Sequence, residues 1–268
     1  MQNEKLKKFM KGDNLEAWEK LLEDTKINEF IQEISNMSFK SFSQLKQIRL
    51  GLENGLKIEQ VKLYANPEFY APRMEEIRFG LEHGLSDEKV NMYADTKYTA
   101  EQMEQIRIGF ENGLTVEQVE HYRNNMFSWE QMEQIRLGLE KHLSPEKINM
   151  FSKLHYGRFQ MAQIRLGFIK HLTKEQVKLY ADQMYNWMQM TQIRYGLQNG
   201  LNFEQVKYYA NPCFTHYQME QIRLGLENGL SKGEVVKFAN PKYSKEKMCR
   251  LRLRTEKRSA KRPVAIRK

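Results

Sequence analysis

Few residues in this 268-residue chain could do chemistry, and their spacing points away from catalysis. His142 and His171 come closest to a metal-ligating pair, but they stand 29 residues apart at equivalent places in two successive stretches. Packed helices keep their axes roughly 8–10 Å apart, so two such histidines would not both reach one zinc ion at about 2 Å. Cys213 and Cys249 fall at unrelated places, which suits a reduced compartment better than a disulfide framework. The chain contains no HExxH, no CxxC pair and no glycine-rich phosphate loop. No catalytic residue, metal or cofactor is expected, so the chemistry on offer is recognition.

Two groups of residues could recognise a partner. Trp129, Lys153, His155, Arg158, Phe159 and Trp187 make the middle of the chain basic and aromatic, and Trp and Arg are enriched where binding energy concentrates. The second group is cationic: Arg250, Arg252, Arg254, Lys257, Arg258, Lys261 and Arg262. Such a run can dock on RNA, DNA or an acidic protein through charge. The net charge of +9 comes from this end. Residues 241–268 hold 12 Lys or Arg against Glu246 and Glu256, which leaves 31 basic and 32 acidic side chains in the first 240 residues. A basic groove for nucleic acid along the body would show the opposite distribution.

The elements that must carry these residues are set by a repeat. An Ile-Arg pair recurs at Ile48-Arg49, Ile77-Arg78, Ile106-Arg107, Ile135-Arg136, Ile164-Arg165, Ile193-Arg194 and Ile222-Arg223, always 29 residues apart, with Leu251-Arg252 as a degenerate eighth copy. A fixed period of this length marks a solenoid. Each period reads as two helices. Thr99 with Gln102, Ser128 with Gln131 and Thr215 with Gln218 form capping boxes that open the first helix, and Thr115 with Gln118 opens the second. Met103, Ile106, Phe110 and Leu114 are apolar at helical spacing, with Ile108 on a second face. Asn112-Gly113-Leu114 supplies a left-handed C-cap, which becomes His142 and His171 in two periods.

Three recurring slots need a reason. Gly51, Gly80, Gly109, Gly138, Gly167, Gly196 and Gly225 lie inside the first helix, where each costs about 1 kcal/mol relative to Ala; close approach of a neighbouring helix backbone is expected. Phe69, Tyr98, Phe127, Tyr156, Tyr185, Phe214 and Tyr243 recur at the same interval and read as core wedges. The repeated Arg reads as a ladder supported by Glu four residues on, as in Arg107–Glu111. Ile169 and Gln198 replace that Glu after Arg165 and Arg194, so those forks should reach turn carbonyls nearby or face a ligand.

The consensus QMEQIRLGLENGL followed by EQVKxYANP, over roughly residues 41–254, resembles a short helical-hairpin repeat type of proteins from Firmicutes and their plasmids, conjugative elements and phages. The resemblance implies an all-helical array and carries no residue roles. With 29 rather than about 34 residues per unit, the chain differs from tetratricopeptide and pentatricopeptide arrays, and a one-repeat-one-base code is not expected.

The expected protein is all-α: residues 1–40 a helical cap containing Asn14, Leu15, Trp18, Leu21 and Leu22, residues 41–243 a seven-repeat α-solenoid, and residues 244–268 a cap helix and basic tail. No apolar run approaches a membrane span and no signal-like segment opens the chain, so a cytoplasmic location is expected, with a protein as the expected partner and RNA or DNA as the alternative.

Overall fold

The computed structural model describes residues 24–261, which form helices and turns with no strand. The chain is all-α. It divides into two compact units, one up to Arg136 and one from Leu137. No helix among the described residues is long and apolar enough to cross a membrane. Of the expected N-terminal cap, Asn14, Leu15, Trp18, Leu21 and Leu22 lie outside the described residues, as does Arg262.

Among the described residues the first unit begins with α1 (Thr25–Ser35), where the Asp24 carboxylate accepts from the Lys26 amide at 2.8 Å and Ile27, Phe30, Ile31 and Ile34 are buried. Long and short helices then alternate: α2 (Phe42–Glu53), α3 (Ile58–Lys62), α4 (Ala71–Glu82), α5 (Asp87–Asn91), α6 (Ala100–Glu111) and α7 (Val116–Glu120), followed by α8 (Trp129–Glu140), in which the unit ends. Each long helix packs on the next long one, α2 on α4 and α4 on α6, and on the short helix that follows it. Met103 and Ile106 are fully buried, as are Val119 of α7 and Tyr122 in the turn just after it. Full burial of such side chains contributes about 1.5–3 kcal/mol each. A five-residue helix has no stability alone; burial of its Val and of the Tyr that follows it holds it.

The caps follow the sequence. The Thr99 hydroxyl accepts from the Gln102 amide at 3.2 Å, and the Gln102 amide oxygen accepts from the Thr99 amide at 2.9 Å. At the other end of α6, Gly113 takes φ +86°, the Leu114 amide donates to the Gly109 carbonyl and the Gly113 amide to the Phe110 carbonyl. These bonds satisfy carbonyls that a helix end leaves without partners.

The glycine inside the long helix faces something other than a backbone. A Cβ on Gly109 would overlap the hydroxyl of Tyr122, and Gly51 and Gly80 stand in the same relation to Tyr64 and Tyr93. Each hydroxyl donates to the carbonyl four residues before its glycine: Tyr64 to Gln47 at 3.2 Å, Tyr93 to Glu76 at 3.3 Å and Tyr122 to Gln105 at 3.2 Å. The expected backbone approach is corrected. A phenol from the turn just after the short helix docks against the preceding long helix, and only glycine leaves room.

The second unit continues from Leu137 with α9 (Pro145–Phe151), α10 (Arg158–Ile169), α11 (Lys174–Lys178), α12 (Trp187–Gln198), α13 (Phe203–Tyr209), α14 (His216–Glu227), α15 (Lys232–Val235) and α16 (Lys245–Ala260). Here α10 packs on α12, α12 on α14 and α14 on α16. Tyr180 and Tyr209 repeat the phenol contact with Gly167 and Gly196, while Phe151 and Phe238 bring a ring carbon to 2.9 Å of a Cβ placed on Gly138 or Gly225. His142 and His171 occupy the left-handed turns with φ +56° and +64°.

Candidate functional site

Two rows of polar side chains have sequence roles that the structure completes. The first is glutamine. The Gln102 amide nitrogen donates to the Asn125 carbonyl at 3.1 Å and the Phe127 carbonyl at 2.6 Å, while its oxygen serves the cap. Gln44, Gln189 and Gln218 repeat the pattern, and Gln160 reaches the Tyr185 carbonyl at 2.7 Å. This clamp across 23–25 residues was missed from the sequence. One signal pointed to it: Gln160 is kept although Gly157 offers no capping side chain.

The second row is arginine. The Nε of Arg78 donates to Gln47 at 2.9 Å, Arg107 to Glu76 at 2.8 Å and Arg136 to Gln105 at 3.1 Å within the first unit. Arg194 to Gln163, Arg223 to Gln192 and Arg252 to Gln221 do the same in the second, at 3.0–3.1 Å. Arg107 also meets Glu111 at 2.8 Å, and Arg194 meets Gln198 at 2.8 Å instead of an acid. Two expectations are corrected. Arg194 is buried and bonded to side-chain amides, neither facing a ligand nor reaching a turn carbonyl. Arg252, read as a nucleic-acid contact, is buried against Gln221 and Glu256. Arg165 is half-buried. Burial pushes the Glu76 carboxyl up, with the Arg107 hydrogen bond opposing it.

The aromatic row is core. Phe69, Tyr98, Phe127, Tyr156, Tyr185 and Phe214 are buried, and Tyr243 is half-buried. Tyr156 and Tyr185 donate to the Ala181 and Ala210 carbonyls at 2.7 and 2.8 Å. Burial, then the Asp182 charge, raises both phenols and keeps them neutral.

With the repeated polar groups engaged in packing, the exposed apolar groups stand out. Phe159 and Trp187 sit in the first turns of α10 and α12, 48% and 39% exposed, with ring centroids 5.3 Å apart at 36°. Asn186 places Trp187 by accepting from the Met188 and Gln189 amides at 3.0 Å. Asp182 accepts from the Met184 amide at 2.9 Å, in the turn that leaves Met184 57% exposed. Phe159, Met184 and Trp187 line an open pocket of about 410 Å³. Arg158 lies 4.5 Å over the Phe159 ring. His155 leans on Tyr156 with centroids 4.3 Å apart, and Lys153 is exposed. Trp129 is exposed and belongs to the first unit, whereas the other five predicted residues belong to the second.

At the far end of the second unit, Arg250, Arg254, Lys257, Arg258 and Lys261 are exposed. Tyr217, Cys249 and Leu253 join the first three in a groove of about 680 Å³ along α14 and α16. Sequence reasoning found its charges and missed its apolar floor, because the degenerate repeat hides Leu253 among arginines. Among the described residues, no three His, Cys, Asp or Glu side chains converge as a metal site. Comparison of the chain with protein-family models, curated proteins and solved structures found no match.

Proposed function

We propose that the chain is a non-catalytic helical-repeat protein of the cytoplasm, a solenoid of seven 29-residue helix–turn–helix units between two helical caps, that works by binding another protein. The observation that carries this reading is the exposed Phe159–Trp187 pair beside Met184 and Arg158. The corresponding positions of the first unit are Pro72 with Ala100 and Glu101 with Trp129, so an aromatic pair is no requirement of the packing. A rigid aromatic pair with an adjacent guanidinium has the composition of a binding hot spot. The resemblance to repeats of Firmicutes and their mobile elements favours a host protein as target, held and inhibited by occupation of its surface.

A tagged full-length chain should retain one stoichiometric protein from a Firmicute lysate after nuclease treatment, and Phe159→Ala with Trp187→Ala should lose it. Retention unchanged in the double variant would overturn the assignment of this surface.

A second reading is supported by the exposed cations Arg250, Arg254, Lys257, Arg258 and Lys261, which could follow a nucleic-acid backbone. It requires steep salt dependence, with a slope near −0.9 per phosphate neutralised. Neutralising Lys257, Arg258 and Lys261 to Gln should remove about 3 from that slope. The surviving protein complex of the leading reading should be indifferent to the change.

A further inference from the structure

The last long helix reverses the hydrogen-bonding sense of the ladder. Earlier long helices present an acceptor to an arginine 31 residues on: Gln47 to Arg78, Glu76 to Arg107, Gln163 to Arg194, Gln192 to Arg223 and Gln221 to Arg252. In α16 the slot 29 residues after Gln221 is Arg250, and the slot after Gly225 is Arg254. Both are exposed. A further helix of the chain's own kind would bring its arginine onto the Arg250 guanidinium, where like charges repel. Neither continued stacking nor the same face of a second copy fits.

The face is nonetheless built to be covered. Tyr217 and Leu253 are 47% and 45% exposed in the groove. Cys249 and Leu253 are one turn apart on α16. Lys245 sits 4.2 Å over the Tyr217 ring, while Arg250, Arg254 and Lys257 edge the apolar strip. Glu220 and Glu246 also line the groove, leaving four cations against two carboxylates. Residues 262–268 carry Arg262, Arg267 and Lys268 and no acid, so the following sequence does not complement it.

We propose that this groove docks an acidic amphipathic helix of a partner protein, whose apolar residues at i, i+4 cover Leu253 and Tyr217 and whose carboxylate meets Arg250 where the chain's own rungs use Gln. An amphipathic helix laid in a groove is a recurring mode of recognition. A guanidinium pairs with a carboxylate through two parallel bonds. The apolar strip and the two groove carboxylates disfavour a phosphate backbone at the same place.

The test uses the full chain with Cys213→Ser, leaving Cys249 as the reporter. The probe is a capped helical peptide of about 18 residues, with Leu at i, i+4 flanked by Glu. The control replaces every Glu by Gln. The acidic peptide should bind and slow alkylation of Cys249, and the control should bind at least about tenfold more weakly. Arg250→Glu should weaken the acidic peptide by a similar factor, Leu253→Ser should weaken both peptides, and Arg258→Glu, outside the groove, should change nothing. Thermal melts of each variant confirm folding. No binding of the acidic peptide at about 1 mM overturns the proposal. So does equal affinity for both peptides, indifference to Arg250→Glu, or displacement of the acidic peptide by an equimolar single-stranded RNA oligonucleotide.

Discussion

Residues 99–122 and 157–180 build the same helix pair by different means. In the first, the Thr99 hydroxyl caps α6, Gly113 makes the left-handed turn at φ +86°, and Arg107 is held between Glu76 and Glu111. In the second, Gly157 has no side chain to cap α10, His171 is forced to φ +64°, and Ile169 stands where Glu111 stood. The glutamine clamp and the tyrosine seated on glycine survive in both: Gln102 and Gln160, Tyr122 against Gly109 and Tyr180 against Gly167. The unit is therefore specified by buried contacts that cross from one element to the next. Caps, turn residues and surface ion pairs tune it.

Alkali should break both kinds of pair together, and this is the largest effect expected. Burial raises the phenols of Tyr64, Tyr93, Tyr180 and Tyr209 above their ordinary value. A phenol with a raised folded pKa contributes stability that is fully present below the unfolded value of about 10 and is lost as pH rises above it. Denaturant midpoints should fall above about pH 10, and replacing the four tyrosines by Phe should flatten that fall. A midpoint equally steep in the Phe variant would assign the alkaline loss elsewhere.

Gln102→Ala should cost about 3 kcal/mol, since it removes a cap and leaves one buried and one part-buried carbonyl without their donor. Gln160 is less buried and makes one carbonyl bond, so Gln160→Ala should cost less, about 2 kcal/mol. Equal losses would mean that the cap, and not the clamp, dominates.

Gly167→Ala tests the seat of the phenol. Helix propensity favours Ala by about 1 kcal/mol, but overpacking against the Tyr180 hydroxyl opposes it by more, for a net loss of about 1–2 kcal/mol. Adding Tyr180→Phe should restore part of this, as Phe151 and Phe238 leave 2.9 Å to a Cβ on Gly138 or Gly225 where the Tyr180 hydroxyl leaves 1.9 Å on Gly167. An Ala variant as stable as the parent would dismiss the contact as the reason for glycine.

The smallest effect should be a gain. His171→Gly relieves a left-handed backbone that costs a residue with a Cβ about 1 kcal/mol. His142→Gly should behave likewise, and Gly113→Ala should show the opposite sign. Chemical denaturation of the three variants checks the set.

Much of this was legible in the chain itself. The 29-residue period, the helix starts at Thr99, Thr115, Ser128 and Thr215 and the left-handed turn at Gly113 depend on bonds spanning three to six residues, and their signals sit side by side in sequence. The recognition residues were read less well. Phe159 and Trp187 could be named as aromatic, but their tilted ring contact depends on α10 and α12 packing together.

Sequence alone thus determined the kind of protein: helical, periodic and balanced in charge over its body, with cations collected at one end. Tertiary structure decided which polar groups are spent on packing and which remain for a partner. Arg250, Arg252 and Arg254 are alike in sequence, yet Arg252 turns onto Gln221 while its neighbours face outward. The reason is physical. Residues two apart on a helix project in different directions, and only the position of the neighbouring helix says which direction is buried. The glycine row needed the same information, because the group that excludes its side chain comes from a tyrosine or phenylalanine 13 residues further along the chain.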